Sequence, residues 1–341
     1  MSSPRNNPPL VQRLQSYLNQ VGLEGLAPPG SVKVKSLALH EKQGLSNKTY
    51  LLKVEANGET LDTLILRLYT GDGKAAKEFR LLRLLRTRGL PVPSVYAFDE
   101  SKKVLGKPFI IMEMIRQTQP EDEQRLLEAA ARSLAEIHAV KPSWLRGVLE
   151  NKGSYPGREL DGIRLLAATM IFSTIGPPDI LVRCLRHANL LKGRMMEGRA
   201  LLIHGDYGLD NIVYSGGRAY VVDWESAEIA EPTFDVAYVC NFLGFLERIQ
   251  AKPEGKLSEA FLKNYEKHGG VVRQLELYRR LAALKIILLL EVLRTRNLFS
   301  LLTGLHARFR SLEGENWVEG FRRYLFEILG EPGAEHVNTE A

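Results

Sequence analysis

The sequence predicts an α+β protein in two parts. A small N-terminal antiparallel sheet of five strands carries one helix, and a larger, mainly helical region follows it. Three observations carry this. Five strand-like runs, separated by turn signals, fall before about residue 115. A single run of helical periodicity interrupts them. From Pro120 onward, apolar residues recur at helical spacing almost throughout.

A first helix is expected over roughly 10–22, leading into "SVKVKSLAL" (31–39), which alternates like a half-buried strand. "KTYLLKVEA" (48–56) and "TLILRLY" (63–69) flank an Asn57-Gly58 turn signal and read as a β-hairpin. "KAAKEFRLLRLLRTRGL" (74–90) is helical, with Gly89 as its stop. "PVPSVYAF" and "KPFIIMEMI" supply the fourth and fifth strands. In the helical remainder the clearest helix is "EDEQRLLEAAARSLAEIHAV" (121–140), and the exception is a short strand pair around 201–223. The division falls near 115–120, giving an N-terminal part over 1–116 and a C-terminal part over 117–341.

Composition narrows the function. The 341 residues are 45% hydrophobic and 25% charged, enough for two cores. The start, "MSSPRNNPPLVQRLQSY", lacks the apolar segment of a signal peptide. The greasiest run, "LAALKIILLLEVL" (281–293), contains Lys285 and Glu291 and is too short to span a bilayer, so it reads as a buried core helix. Cys184 and Cys240 form neither a CxxC pair nor a disulfide framework. A cytoplasmic protein without a membrane segment is the expectation. The net charge of +6 is uneven: 20 basic against 15 acidic residues over 1–140, 10 against 5 over 141–200, and 16 against 20 over 201–341. A basic front half suits an anionic ligand such as a nucleotide. It would also suit nucleic acid, but no zinc knuckle, aromatic RNA-binding set or basic tail accompanies it.

The chemistry concentrates in "HGDYGLDNIVY" (204–214) and "YVVDWE" (220–225), where Asp206, Asn211 and Asp223 sit at the ends of short apolar runs. Phosphoryl transfer needs a carboxylate to orient and accept the proton of the attacking hydroxyl. It also needs hard oxygen donors to hold Mg²⁺ on the phosphates. An Asx-rich turn capped by its own side chains explains "HGD" equally well by itself. Asn211 five residues on, and an aspartate closing the next strand, favour the catalytic reading.

The segment "HGDYGLDNIVY…VVDWESAEIAEPTFDVAYV" resembles the catalytic core of the aminoglycoside phosphotransferases and choline-kinase-like enzymes, small-molecule relatives of the protein kinases. The resemblance runs from about residue 30 to 245 and implies a bilobal protein-kinase-like fold. It implies Asp206 as catalytic base and Asn211 and Asp223 as Mg²⁺ ligands, with Trp224-Glu225 where protein kinases have Phe-Gly. Asp235 matches an aspartate that opens the next helix and serves structure. In "KQGLSNKTYLLKV" the resemblance makes Gly44, Ser46 and Asn47 a shortened phosphate loop, without the G-x-G-x-x-G of protein kinases. Arg67 in "LILRLY" and Glu78 in "KAAKEF" stand where a cation for the phosphates and its glutamate partner belong. The arginine replaces the lysine of protein kinases, and its planar fork can hold carboxylate and phosphate together. Met112, Glu113 and Ile115 in "PFIIMEMI" fall at the hinge. Met112 is there the gatekeeper, and the main chain of Glu113 and Ile115 faces the adenine edge. His138 in "LAEIHA" reads as a packing residue, and His204 as a brace for the catalytic loop.

The expectation is an ATP-dependent, Mg²⁺-requiring enzyme that phosphorylates a hydroxyl of a small molecule: a sugar, an amino alcohol or an antibiotic-like acceptor. A non-catalytic nucleotide-binding module stays open, although every expected catalytic position is filled. A protein kinase is disfavoured, because neither an HRD motif nor an APE-type activation segment is present. The acceptor region carries no motif.

Overall fold

The computed structural model describes residues 10–41, 47–150, 152–153, 155–195, 198–250, 256–295 and 317–330. The chain divides into two compact units, residues 1–117 together with 220–225, and residues 118–219 together with 226–341. The short segment 220–225 thus belongs with the N-terminal unit, although the sequence pattern groups it with its helical neighbours.

The first unit is built on an antiparallel sheet. Its strands are β1 (Val32–Leu39), β2 (Lys48–Ala56), β3 (Glu59–Thr60), β4 (Leu64–Leu68), β5 (Val95–Asp99) and β6 (Phe109–Glu113). Their order is β1-β2-β4-β6-β5, with two-residue β3 paired to β2. The five expected strands are all present, and β3 is the addition. Asn57 and Gly58, at φ 53° and 85°, take the left-handed conformations a tight hairpin turn demands. That turn returns the chain as β3 before β4 begins, a detour the apolar pattern does not record because Glu59 and Thr60 are exposed.

Alternation decides what this sheet buries. Leu52, Val54, Leu64, Leu66, Phe109 and Ile111 point into one core with Leu14 and Leu18 of α1 (Leu10–Val21). Helix α1 also meets both edges of the sheet. Gln15 donates to the Val32 carbonyl and accepts from the Val34 amide, each at 2.7 Å, so a side chain occupies backbone groups that edge strand β1 would otherwise leave open. On the far edge, Tyr17 donates to the Phe98 carbonyl at 2.7 Å. Helix α2 (Lys74–Thr87) buries Leu81, Leu82 and Leu85, and the same helical spacing turns Glu78 inward.

The second unit is mainly helical: α3 (Glu123–His138), α4 (Tyr155–Phe172), α5 (Pro178–Leu191), α6 (Thr233–Ile249), α7 (Lys256–Lys267), α8 (Leu275–Thr295) and α9 (Trp317–Ile328). Asp122 caps α3 by accepting the Arg125 amide at 2.7 Å. Helices α6 and α8 pack along each other, as do α3 with α7 and α4 with α5. The run 281–293 lies in α8 as a core helix, with Leu281, Leu284, Ile287 and Leu288 buried. Among the described residues no helix is long and apolar enough to cross a membrane.

Four short strands lie in the rest of the chain: β7 (Leu201–Ile203), β8 (Ile212–Ser215), β9 (Arg218–Val221), whose last two residues are counted with the first unit, and β10 (Glu228–Ala230). The sequence predicts one strand pair here and the structure has two, β7 with β10 and β8 with β9. Periodicity identifies a strand but not its partner, and β7 finds its partner 25 residues on, from Ile203 to Glu228.

The sheet core yields a first prediction. Leu66→Ala removes a fully buried side chain and should destabilise the protein by about 2–5 kcal/mol. Leu39→Ala, at a position 58% exposed, should change stability by under about 0.5 kcal/mol. Urea denaturation of the two variants measures both.

Candidate active site

In the first unit, strand β4 and helix α2 bring a cation and an acid face to face. Arg67 on β4 reaches Glu78 on α2 (Nη1 to Oε1, 3.4 Å) and Asp223 (Nη2 to Oδ1, 2.5 Å). Arg67 and Glu78 are almost wholly buried, while the Asp223 side chain is 28% exposed. One guanidinium therefore serves two carboxylates. Burial opposes its charge, but Asp223 and Glu78 outweigh burial and hold Arg67 protonated, well above its ordinary range. Burial pushes the Glu78 carboxyl above the usual glutamate value; Arg67 works against this shift and Asp223 adds to it. Tyr69 donates a hydrogen bond to Glu78 at 2.8 Å. Nε of Arg67 is buried with no acceptor among the described residues.

Helix α2 also holds the segment that carries Asp223. The Trp224 amide donates to Glu78 at 3.3 Å, and Lys77 donates to the Glu225 carbonyl at 2.5 Å. The Glu225 carboxylate takes Lys74 at 3.2 Å and the Asn47 amide at 2.9 Å. Asp223 itself sits at φ 67°, a left-handed conformation that aspartate tolerates better than most residues. Asn47 is buried, and its amide oxygen has no partner among the described residues. Gly44 and Ser46 lie outside the described residues. Met112 is buried in β6, Glu113 ends that strand and Ile115 follows it half-buried. The Glu113 amide is already spent on the Ser94 carbonyl, at 2.8 Å.

In the second unit, Asp206 and Asn211 meet within one loop. The Asn211 amide nitrogen donates to the Asp206 carbonyl at 2.9 Å and to its carboxylate at 3.0 Å. This commits the nitrogen and leaves the amide oxygen for a cation. Tyr238 on α6 hydrogen-bonds the Asp206 carboxylate, and burial together with that carboxylate holds the phenol protonated.

Buried Asp235, in the first turn of α6, holds the loop from beneath. Its two oxygens accept the amides of His204 at 2.7 Å and Gly205 at 2.8 Å. His138 lies 3.2 Å from the same carboxylate and 2.7 Å from the Tyr265 hydroxyl. His138 therefore belongs to a buried polar chain, beyond plain packing. The His204 ring packs edge-on against Tyr207. From α8, Lys285 donates to the Gly205 carbonyl at 3.3 Å and pairs with Glu159 of α4 at 3.0 Å. Tyr265, Lys285 and Glu159 come from helices without a motif and no local pattern in the sequence marks them, whereas Tyr238 stands near the end of the quoted segment without a pattern that marks its role.

Asn211 and Asp223 offer hard oxygen donors. Among the described residues no group of three or more His, Cys, Asp or Glu side chains could hold a metal.

Two predictions follow from this geometry. Gly205 has φ 79°, and a Cβ there would lie 2.5 Å from the Ser226 carbonyl oxygen. Gly205→Ala should therefore cost about 1–3 kcal/mol and displace the loop. The check pairs a thermal melt with the hydrogen-exchange protection of the His204 and Gly205 amides. In the first unit, Arg67→Ala strands Glu78 as a buried charge and should cost about 3–5 kcal/mol. Adding Glu78→Leu should recover part of that loss, and denaturant titration of the single and double variants measures the recovery.

Residues 42–284 match the model of the family described as APH, the phosphotransferase enzyme family. Among curated proteins, mouse acyl-CoA dehydrogenase family member 10 is 26% identical over 247 residues, covering 67% of this chain and 22% of the mouse protein. The chain spans between about a fifth and a third of the length of the first curated relatives it matches. Among solved structures, a candidate aminoglycoside phosphotransferase of Ralstonia eutropha superposes with a TM-score of 0.64 at 20% identity, over 93% of this chain and 98% of that one. Choline kinase of Cryptosporidium parvum gives 0.60 at 14% identity, over 92% and 99%. These likenesses show a shared kinase-like fold.

Proposed function

Because the chain belongs to the phosphotransferase enzyme family, we propose that it moves the γ-phosphate of ATP to a hydroxyl of a small molecule, with Asp206 as the base. One observation carries the assignment. Asp206 is the carboxylate that the loop around it is organised to hold. Asn211 and Tyr238 bond it directly, and Asp235 grips the two amides before it.

Asp206 orients the acceptor hydroxyl and takes its proton as the new P–O bond forms and the bond from the γ-phosphorus to the bridging oxygen breaks, releasing ADP. Its hydrogen bonds to Asn211 and Tyr238 restrict the carboxylate to one orientation, so little reorganisation accompanies the reaction. Asn211 and Asp223 are the residues that would hold Mg²⁺, which would supply charge neutralisation for the phosphates. Arg67 already carries two carboxylates, and its Nε, which has no acceptor among the described residues, is a donor available to a phosphate oxygen. Glu78 and Asp223 fix the guanidinium and leave it little charge to spare, so the phosphates depend on the cation for neutralisation. Asn47, with Gly44 and Ser46 before it, covers the phosphates. Met112, Glu113 and Ile115 take the adenine, with the main chain of Glu113 and Ile115 along its edge.

The test is Asp206→Asn. It should lower turnover about a hundredfold or more and leave ATP affinity within about twofold, since an amide preserves the shape and removes the basic site. ADP release across a panel of hydroxyl acceptors reports turnover, and equilibrium titration with an ATP analogue reports affinity. Wild-type turnover in the variant would remove Asp206 from the mechanism. Nucleotide binding without turnover of any acceptor in the wild type would leave a nucleotide-binding module.

A further inference from the structure

The residue before the base carries information about the acceptor. The Gly205 carbonyl takes a hydrogen bond from Lys285 at 3.3 Å. The same ammonium pairs with the Glu159 carboxylate at 3.0 Å and stands 5.0 Å from the centre of the Phe234 ring. A carboxylate, a carbonyl and an aromatic face around one nitrogen form the set that recognises an organic ammonium ion. In this protein a side chain of its own fills that set. The three groups come from α4, the base loop and α6, and the lysine from α8, all in the second unit.

Charge around the set points the same way. Glu159 is matched by Lys285, and Glu228 by Arg158 at 3.1 Å. Asp235 is buried and spends its oxygens on two amides and His138. A polycationic acceptor would need carboxylates without such partners, and these three all have theirs. The Lys285 side chain is 33% exposed. An ammonium has three donors, and Gly205 and Glu159 take two of them. Residues 141–200, which include α4, carry 10 basic against 5 acidic side chains, whereas residues 201–341, which include the base loop, α6 and α8, carry 16 against 20. A negative ligand is therefore favoured by the local pairing of Glu159, Glu228 and Asp235.

We infer that the acceptor is a hydroxyl compound bearing an anionic group, a carboxylate or a phosphate, and that Lys285 selects it by binding that group and by filling the place an ammonium would take. This rests on the phosphotransferase reading above and adds the chemical class of the acceptor. Lys285 determines specificity through the acceptor's charge. Glu159 acts through Lys285 as a positioning residue, restraining the ammonium beside the base loop.

The experiment uses the full chain with ATP and Mg²⁺ and three small acceptors that differ in charge: 3-hydroxypropanoate, 1-propanol and ethanolamine. Wild-type kcat/KM should fall in that order. Lys285→Met keeps the length of the side chain and removes its charge. It should lower kcat/KM for 3-hydroxypropanoate about tenfold or more and raise that for ethanolamine, inverting the preference. Lys285→Arg should keep the wild-type order. Glu159→Gln loosens the ammonium and should favour 3-hydroxypropanoate over propanol by a further few-fold, whereas a purely structural glutamate would lower all three rates together. A wild-type preference for ethanolamine, or a ratio of anionic to cationic rates unchanged in Lys285→Met, overturns the inference and leaves the kinase reading standing. Binding of ATP and Mg²⁺ without turnover of these or any other hydroxyl acceptors overturns both.

Discussion

A buried carboxylate at the start of α6 is the constraint on which the second unit's chemistry depends. Asp235 has no solvent exposure, and a charge so placed is costly unless every lone pair finds a donor. The His204 and Gly205 amides and the His138 ring supply them. Those two amides immediately precede Asp206. Satisfying a buried acid thus fixes the backbone that carries the proposed base. The left-handed Gly205 lets that backbone pass the Ser226 carbonyl, and the Tyr265 hydroxyl extends the chain from α7. Helices α3, α6 and α7 are tied together by the same requirement that holds the loop.

The first unit solves a related problem with the opposite sign. Arg67 is buried between two acids that together exceed its charge. The fork of a guanidinium can serve both at once, whereas an ammonium is a point charge and would have to share itself. This gives a physical sense to arginine at a position where protein kinases carry lysine. Glu78 comes from α2, and neighbouring lysines of the same helix hold Glu225. A shift of α2 would therefore disturb Asp223 through the cation and through the two residues that follow it.

The acceptor side is read from charge alone. Family membership does not name an acceptor, because likeness to solved structures at 14–20% identity reaches the fold and stops there. Lys285 of α8 is held by Glu159 of α4 and stands against the Phe234 ring of α6. Substrate class is the kind of property that changes while a catalytic loop stays the same.

What the sequence determined by itself is whatever rests on short-range order. Alternation located the strands of the first unit, and helical spacing located α2, α3 and α8. The spacing of Asp206 and Asn211 brought them together because five residues in one loop cannot separate far. Trp224 and Glu225 beside Asp223 were legible for the same reason. What only the tertiary structure decided is every pairing over long separation: β7 with β10, Gln15 with the edge of β1, Arg67 with Asp223, 156 residues apart, and Tyr265 with His138, 127 apart. The β7–β10 pairing and the place of 220–225 in the first unit departed from the sequence expectation on this ground. Lys285 lay inside an apolar run and read as one charge on a core helix. Its meaning comes from Gly205, 80 residues earlier. A period of 2 or 3.6 residues specifies which face is buried, but the groups that then meet across that face are chosen by the packing of whole elements.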